Sequence, residues 1–215
     1  MEEIIWFLVR WSHLLFGITW IGLLYYFNFI QGDYFKEATP EGLSDAKAKL
    51  APRALWWFRW GAMFTFISGV ILFGSLHKGG TNLINDFIVL GAVLGTLMFL
   101  NVWLIIWPNQ KIVLGLAEGD GKVAGPKAAL ASRTNTLFSA ALAFFMLASP
   151  HLGYSADHLL VANGGGLGLW LSLAIVALLE VNAIVGKPGP IASIRGVIHM
   201  SLALTALLYC LTLFL

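Results

Sequence analysis

Six long apolar segments, separated by shorter polar stretches, set the hydrophobic pattern of this chain. They cover residues of about 4–30, 55–76, 86–107, 134–149, 167–185 and 194–215. All but the fourth approach or exceed the roughly 20 residues with which a helix crosses the hydrocarbon core of a bilayer. The pattern predicts an all-α membrane protein, a bundle of about six transmembrane helices that forms a single domain over residues 1–215.

The polar stretches predict where these helices end. Charged residues and two prolines fill 31–54, where 47–50 is expected to form a short surface helix. Pro108 is expected to stop the third helix, because proline removes a hydrogen-bond donor and clashes with the preceding turn. A polar connection is then expected over 109–133, before a short fourth helix.

Composition agrees with a protein embedded in lipid. Hydrophobic residues make up 59% of the 215 residues and charged residues 11%, whereas about a quarter of the residues of a soluble domain are charged. A net charge of +2 gives no reason to expect nucleic acid as a partner. The single cysteine, Cys210, excludes an internal disulfide and any site that needs several cysteine ligands.

The distribution of basic residues predicts the orientation. Ten of the 13 lysines and arginines lie in the first, third and fifth connections. Cytoplasmic loops carry this excess in membrane proteins. Both termini are therefore expected on the outside, which is the periplasm if the protein lies in a bacterial inner membrane.

His13 is the first candidate functional residue, because ionisable groups at membrane depth are costly and usually have a partner or a task. It lies nine residues after Ile4, or about 13 Å along the helix and close to the midplane. A haem ligand needs an imidazole nitrogen, a flat apolar slot and cations for the propionates. Gly17, Gly22 and the aromatic neighbours could form the slot, and Arg10 could supply a cation. The alternative is that His13 only hydrogen-bonds to another helix.

Other polar residues in the apolar segments complete the set of candidates. His199 has two possible roles. It is either the second axial ligand of a haem, so that His13 and His199 together bind the metal, or a partner of Glu180. Glu180 is either a surface carboxylate or a buried one with Arg59 or His199 as its counter-charge. His77, His151 and His158 are more simply read as interfacial or solvated histidines.

Four segments resemble the membrane part of the urate oxidase N-terminal family, the bacterial membrane-bound urate hydroxylases. The resemblance spans about the first 155 residues. The segments are Arg10-Trp-Ser-His-Leu-Leu-Phe-Gly-Ile-Thr-Trp-Ile-Gly22, Trp57-Phe-Arg-Trp60, Asn101-Val-Trp-Leu-Ile-Ile-Trp-Pro-Asn-Gln-Lys111 and Ala148-Ser-Pro-His151. The first helix also resembles that of bacterial membrane protoporphyrinogen oxidases, in which the matching histidine is regarded as a b-type haem ligand. These resemblances imply that His13 binds haem b, and they bring His151 into the candidate cofactor site with Arg10, Arg59 and His199.

The chain also departs from the urate oxidase family. It lacks the Cys-x-x-Cys-His motif of the family's cytochrome c domain, so the electron acceptor is expected to be another chain. The function expected first is electron transfer between a membrane or small-molecule donor and a c-type cytochrome or the quinone pool, alone or within a respiratory complex. The alternatives are urate hydroxylation, with Arg10, Arg59 and Asn101 as the polar groups for the anion, and a non-catalytic structural subunit.

Overall fold

The computed structural model describes residues 1–76, 83–153 and 165–215, and the regular structure in these ranges is helical. Six of its helices are long and apolar enough to cross a membrane, which confirms the predicted all-α architecture. We number them α1 to α6. They are Glu2–Glu37, Pro40–Ser75, Asp86–Val113, Gly121–Leu152, Leu167–Val185 and Ile194–Phe214.

Three of the long helices contain a π-helical turn, in which the hydrogen bonds skip one residue more than in an α-helix. These turns are Tyr26–Gln31 in α1, Ala46–Leu50 in α2 and Asn101–Ile106 in α3. The predicted surface helix at 47–50 is thus part of a continuous helix. The predicted loop at 31–54 is mostly helical, because α1 ends at Glu37 and α2 begins at Pro40.

The prediction that Pro108 stops the third helix is wrong. The π-turn ends at Ile106, and a new α-helical stretch, Trp107–Val113, carries Pro108 in its first turn. Proline is tolerated at that position because the first N–H groups of a helix have no partner within it. The Asn109 side chain donates to the Ile105 carbonyl oxygen at 2.7 Å, which satisfies one of the backbone groups at this junction.

The fourth helix is much longer than its apolar segment. It begins at Gly121, where the Asp120 carboxylate accepts a hydrogen bond from the Lys122 N–H at 2.8 Å, and it runs to Leu152. The hydropathy pattern missed the first half because that half contains polar residues. The predicted segment itself begins with three buried polar residues, Thr134, Asn135 and Thr136.

Helix α4 lies at the centre of the bundle and packs against α1, α3, α5 and α6. Polar side chains contribute to this packing. The Asn28 amide donates to Ser132 Oγ at 2.8 Å, and the Tyr25 and Ser139 hydroxyls lie 2.9 Å apart. Ser201 donates to the Leu137 carbonyl oxygen at 2.8 Å. Interhelical hydrogen bonds of this kind are a common means of association for transmembrane helices.

Helix α1 packs mainly on α2, at the bundle edge. The two helices approach closely at Gly61, where an added Cβ would lie 3.2 Å from the Trp20 backbone nitrogen. In the stretch Glu2–Tyr25 only Trp20 and Leu24 are buried. Most of α1 therefore faces the surroundings of the bundle with apolar side chains, as expected of a helix in contact with lipid.

Asn85 joins the start of α3 to the end of α4 and offers a test of the fold. Its Oδ1 accepts from the Ile88 N–H at 3.0 Å, and its Nδ2 donates to Ser149 Oγ at 3.2 Å. We expect Asn85→Ala to lower the free energy of unfolding by about 1–3 kcal/mol, because it removes a helix cap and leaves a buried hydroxyl unpaired. Thermal unfolding in detergent measures the change. Asp120→Ala, which removes the exposed cap of α4, is the control, and an equal loss in both variants would contradict the proposed bridge.

Candidate functional site

His13 lies where α1 crosses α2. Its Nδ1 is 3.0 Å from the Ser68 hydroxyl oxygen, and its ring is half-buried. A Cβ at Gly69 would fall 3.1 Å from His13 Cε1, so the absence of a side chain at Gly69 makes room for the imidazole. The ring is thus fixed by one hydrogen bond and by close contact with α2.

The hydrogen bonds of Ser68 assign the tautomer of a neutral His13. A hydroxyl has one proton, and Ser68 Oγ lies 2.6 Å from the Phe64 carbonyl oxygen and 3.0 Å from that of Thr65. Because a carbonyl oxygen only accepts, the Ser68 proton is directed to the backbone. His13 Nδ1–H then donates to Ser68, and the lone pair of Nε2 is free to bind a ligand.

This arrangement fits the chemistry of a haem or metal ligand. Ligating histidines usually donate their second ring N–H to a protein acceptor, which fixes the ring orientation and the tautomer. The surroundings are apolar, with the Phe16 and Phe64 rings 5.0 Å apart. An added Cβ at Gly17 would come no closer than 3.9 Å to α2, and one at Gly22 would meet open space. Arg10 lies three residues before His13 and is exposed, so it is accessible to an anionic group.

The other candidate histidines lie elsewhere. His199 is exposed on α6, which packs against α4 and α5, whereas α1 packs mainly on α2. His151 is exposed in the last turn of α4. His77 and His158 lie outside the described residues. The structure therefore places His13 and His199 on helices in different parts of the bundle, and the ligand role of His199 stays a prediction.

A multidentate metal site is not part of the described structure. No group of three or more histidine, cysteine, aspartate or glutamate side chains there is arranged to hold a metal ion. A haem iron takes four of its ligands from the porphyrin, so one or two histidines suffice for it. A haem site therefore does not require such a group of protein ligands.

A second polar cluster, the Asn101–Asn135–Glu180 cluster, joins α3, α4 and α5. The Asn101 amide nitrogen donates to Asn135 Oδ1 at 2.9 Å and to Glu180 Oε2 at 3.1 Å. Asn135 in turn donates to the Met98 carbonyl oxygen at 2.9 Å. Asn101 and Asn135 are 1% and 0% exposed, and Glu180 is half-buried.

The expected counter-charges of Glu180 are elsewhere. The partner that the structure gives Glu180 is the neutral Asn101 amide. The Arg59 guanidinium lies over the Trp107 ring, 3.9 Å from its centroid, and His199 is exposed on α6. Sequence reasoning missed Asn135, although a Thr-Asn-Thr run at the start of the fourth apolar segment was a signal of a buried polar face.

Arg59 belongs to an aromatic cluster between α2 and α3. The Trp60 and Trp103 rings meet edge to face with centroids 5.8 Å apart, and Lys111 lies 5.7 Å from the Trp107 centroid on the same helix. A cation above an indole ring is stabilised by the ring's quadrupole. Arg59 is thus held by Trp107, away from the Asn101–Asn135–Glu180 cluster.

The match with a known family falls on the middle of the chain, on α3, α4 and the residues that follow. Residues 83–163 match the urate oxidase N-terminal family model. This region includes Asn101, Asn135 and two of the four segments on which the predicted resemblance rests, 101–111 and 148–151. The segments with His13 and Arg59 precede the match, which is therefore shorter at its N-terminal side than predicted. No curated protein and no solved structure matches the chain.

Proposed function

We propose that this protein is a b-type haem redox protein of a bacterial inner membrane and that His13 is an axial ligand. Six membrane-spanning helices and the match to the urate oxidase N-terminal family support a membrane protein of this kind. The observation that carries the proposal is the hydrogen bond between His13 Nδ1 and Ser68, because it assigns the proton of a neutral imidazole to Nδ1 and the lone pair to Nε2.

A bound haem supplies reversible one-electron chemistry. The chain contributes the position of the ligand. Ser68 fixes the imidazole orientation, Gly69 gives it room, and Arg10 supplies a positive charge for a propionate. The second ligand stays a prediction from the sequence, which named His199 and His151; both lie on other helices than the α1–α2 pair that holds His13. The electron partners of this proposal are a c-type cytochrome at the outer surface or the quinone pool, with the protein acting alone or in a respiratory complex.

A reduced-minus-oxidised absorbance spectrum of the purified protein tests this function. We expect the Soret and α bands of b-type haem. A spectrum without them would remove the haem proposal and leave the structural subunit as the remaining non-redox function.

Ser68→Ala tests the arrangement of the ligand. Loss of a partner that orients a metal-bound histidine typically weakens metal binding about 10–100-fold. We expect haem affinity to fall within that range, as measured by haemin titration of the apoprotein. Ser12→Ala is the control, because the Ser12 hydroxyl bonds only to backbone carbonyl oxygens of its own helix. Unchanged affinity in Ser68→Ala would contradict the assigned tautomer.

Urate hydroxylation is the second candidate, and the family match favours it. Hydroxylation of urate by water releases two electrons and two protons, and the electrons need an acceptor such as a separate c-type cytochrome. The groups expected to hold the anion are not gathered around one site. Arg59 stacks on Trp107, both Asn101 amide hydrogens face protein acceptors, and Arg10 lies exposed on α1. Urate consumption by membranes, with and without added cytochrome c, separates the enzyme from the electron carrier.

A further inference from the structure

We propose that Glu180 is a proton-exchange site inside the bundle, open towards the membrane side at which α5 ends. The proposal concerns α3, α4 and α5, so it does not depend on the haem proposed at His13. Its basis is the geometry of the Asn101–Asn135–Glu180 cluster, whose role none of the sequence similarities explains.

The position of Glu180 makes its charge costly. It is five residues before Val185, the end of α5, which corresponds to about 7–8 Å along the helix. Its side chain is half-buried, so it reaches the surroundings without being fully solvated. Carboxylates at such depth are rare in membrane proteins and commonly belong to ion or proton pathways.

The hydrogen bonds around Glu180 fix the carboxyl group without neutralising it. Asn101 gives one amide hydrogen to Asn135 and the other to Glu180 Oε2. Asn135 is itself anchored to the Met98 carbonyl oxygen. The cluster thus offers Glu180 one neutral donor at a defined position, and Asn101 can keep that bond whether or not the other carboxyl oxygen carries a proton.

No described contact joins Glu180 to a charged side chain. The charged and titratable groups on the helices packed against α5 are Asp86 and Lys111 on α3, Lys122, Lys127, Arg133 and His151 on α4, and Arg195, His199, Tyr209 and Cys210 on α6. Among the described residues, the hydrogen-bond partner of Glu180 is Asn101. Since an isolated ionised carboxylate is strongly disfavoured away from water, a proton is the simplest counter-charge.

The polar groups that lie nearest to Glu180 along α5 are towards the C-terminal end of the helix. C-terminal to Glu180, Asn182 donates to the Lys187 carbonyl oxygen in an exposed turn. Towards the other end of α5, Ser172 is fully buried, and its hydroxyl has no hydrogen-bond partner among the described residues. The polar groups therefore favour exchange with water at the α5 C-terminus. In that step the carboxyl O–H bond breaks, the proton passes to water, and no electron is transferred.

Infrared spectroscopy of the purified full-length protein in lipid nanodiscs tests the proposal. The carbonyl stretch of a protonated carboxylic acid is recorded from acid to alkaline pH, in water and in deuterium oxide. We expect a titrating band that shifts on deuteration and is lost in Glu180→Gln. Asn101→Leu should keep the band but move its frequency, because the hydrogen bond to Oε2 is lost.

Glu118→Gln is the matched control, because Glu118 is an exposed carboxylate between α3 and α4. It should leave the band unchanged. If Glu180→Gln fails to fold, Glu180→Asp should still shift the band. A spectrum that is the same with and without the Glu180 carboxyl group, or a band that titrates without exchanging deuterium, would overturn the proposal. Haem absorbance, measured on the same samples, reports separately on the proposed redox function.

Discussion

Replacing His13 with alanine is expected to abolish the b-type haem absorbance of the purified protein. The substitution removes the imidazole that Ser68 orients, and the other described histidines lie on α4 and α6 rather than on α1 or α2. Gly69→Val should also abolish the haem absorbance, although it leaves His13 in the sequence. Even the valine Cβ would fall 3.1 Å from His13 Cε1, so the side chain would displace the imidazole. Reduced-minus-oxidised spectra, normalised to protein concentration, measure both losses.

Two further histidine variants make this experiment selective. His151→Ala changes an exposed side chain in the last turn of α4, and His199→Ala changes an exposed one on α6. A histidine that is the second ligand should, when replaced, shift the Soret band or lower haem occupancy, whereas one that is not should leave the spectrum intact. Full haem absorbance in His13→Ala would move the proposed site away from the α1–α2 crossing.

Asn135→Leu is expected to cause the largest loss of stability. Asn135 is 0% exposed, accepts from Asn101 and donates to the Met98 carbonyl oxygen. Leucine of similar size would leave an amide hydrogen of Asn101 unpaired beside Glu180. Each orphaned buried group costs about 1–3 kcal/mol, so we expect the free energy of unfolding to fall by about 2–4 kcal/mol. Denaturant unfolding in detergent, followed by circular dichroism, measures the change.

Asn182→Leu provides the comparison for Asn135→Leu. It makes the same chemical change near the end of α5, where the amide bonds to the exposed Lys187 carbonyl oxygen at 3.2 Å. Water can replace that bond, so the expected loss is below about 1 kcal/mol. Similar destabilisation in both variants would mean that the Asn101–Asn135–Glu180 cluster contributes no more than an exposed hydrogen bond.

The sequence predicted best those helices whose apolar residues are continuous. α5 was predicted with its observed bounds, and α6 differs only at its last residue. α4 was predicted too short because its first turns, 121–133, contain Lys122, Pro126, Lys127 and Arg133, and hydropathy reads such residues as loop. The continuation of α3 past Pro108 depends on a π-turn, which has no simple signature in composition.

In the candidate sites, too, the sequence predicted single residues but not the contacts that depend on helix packing. His13 stood out because a histidine in an apolar helix is unusual, but its partner Ser68 is 55 residues away and resembles any other serine in a helix. Glu180 was also singled out, whereas its connection through Asn101 to Asn135 depends on how three helices pack. Local sequence reveals a costly group, and the tertiary fold determines which residue stabilises it.

The π-turn of α3 bears on how this chain tolerates changes of length. One residue advances an α-helix by about 100°, whereas a π-turn accommodates one extra residue in a wider turn and does not pass that rotation on to the residues after it. Deleting one residue from Asn101–Ile106 would let this turn become ordinary α-helix, so Trp107 should keep facing Arg59. Single-residue insertions and deletions elsewhere in the helix would disturb the buried face directly. The turn is thus the point at which α3 can gain or lose one residue while the packing on both sides of it is kept.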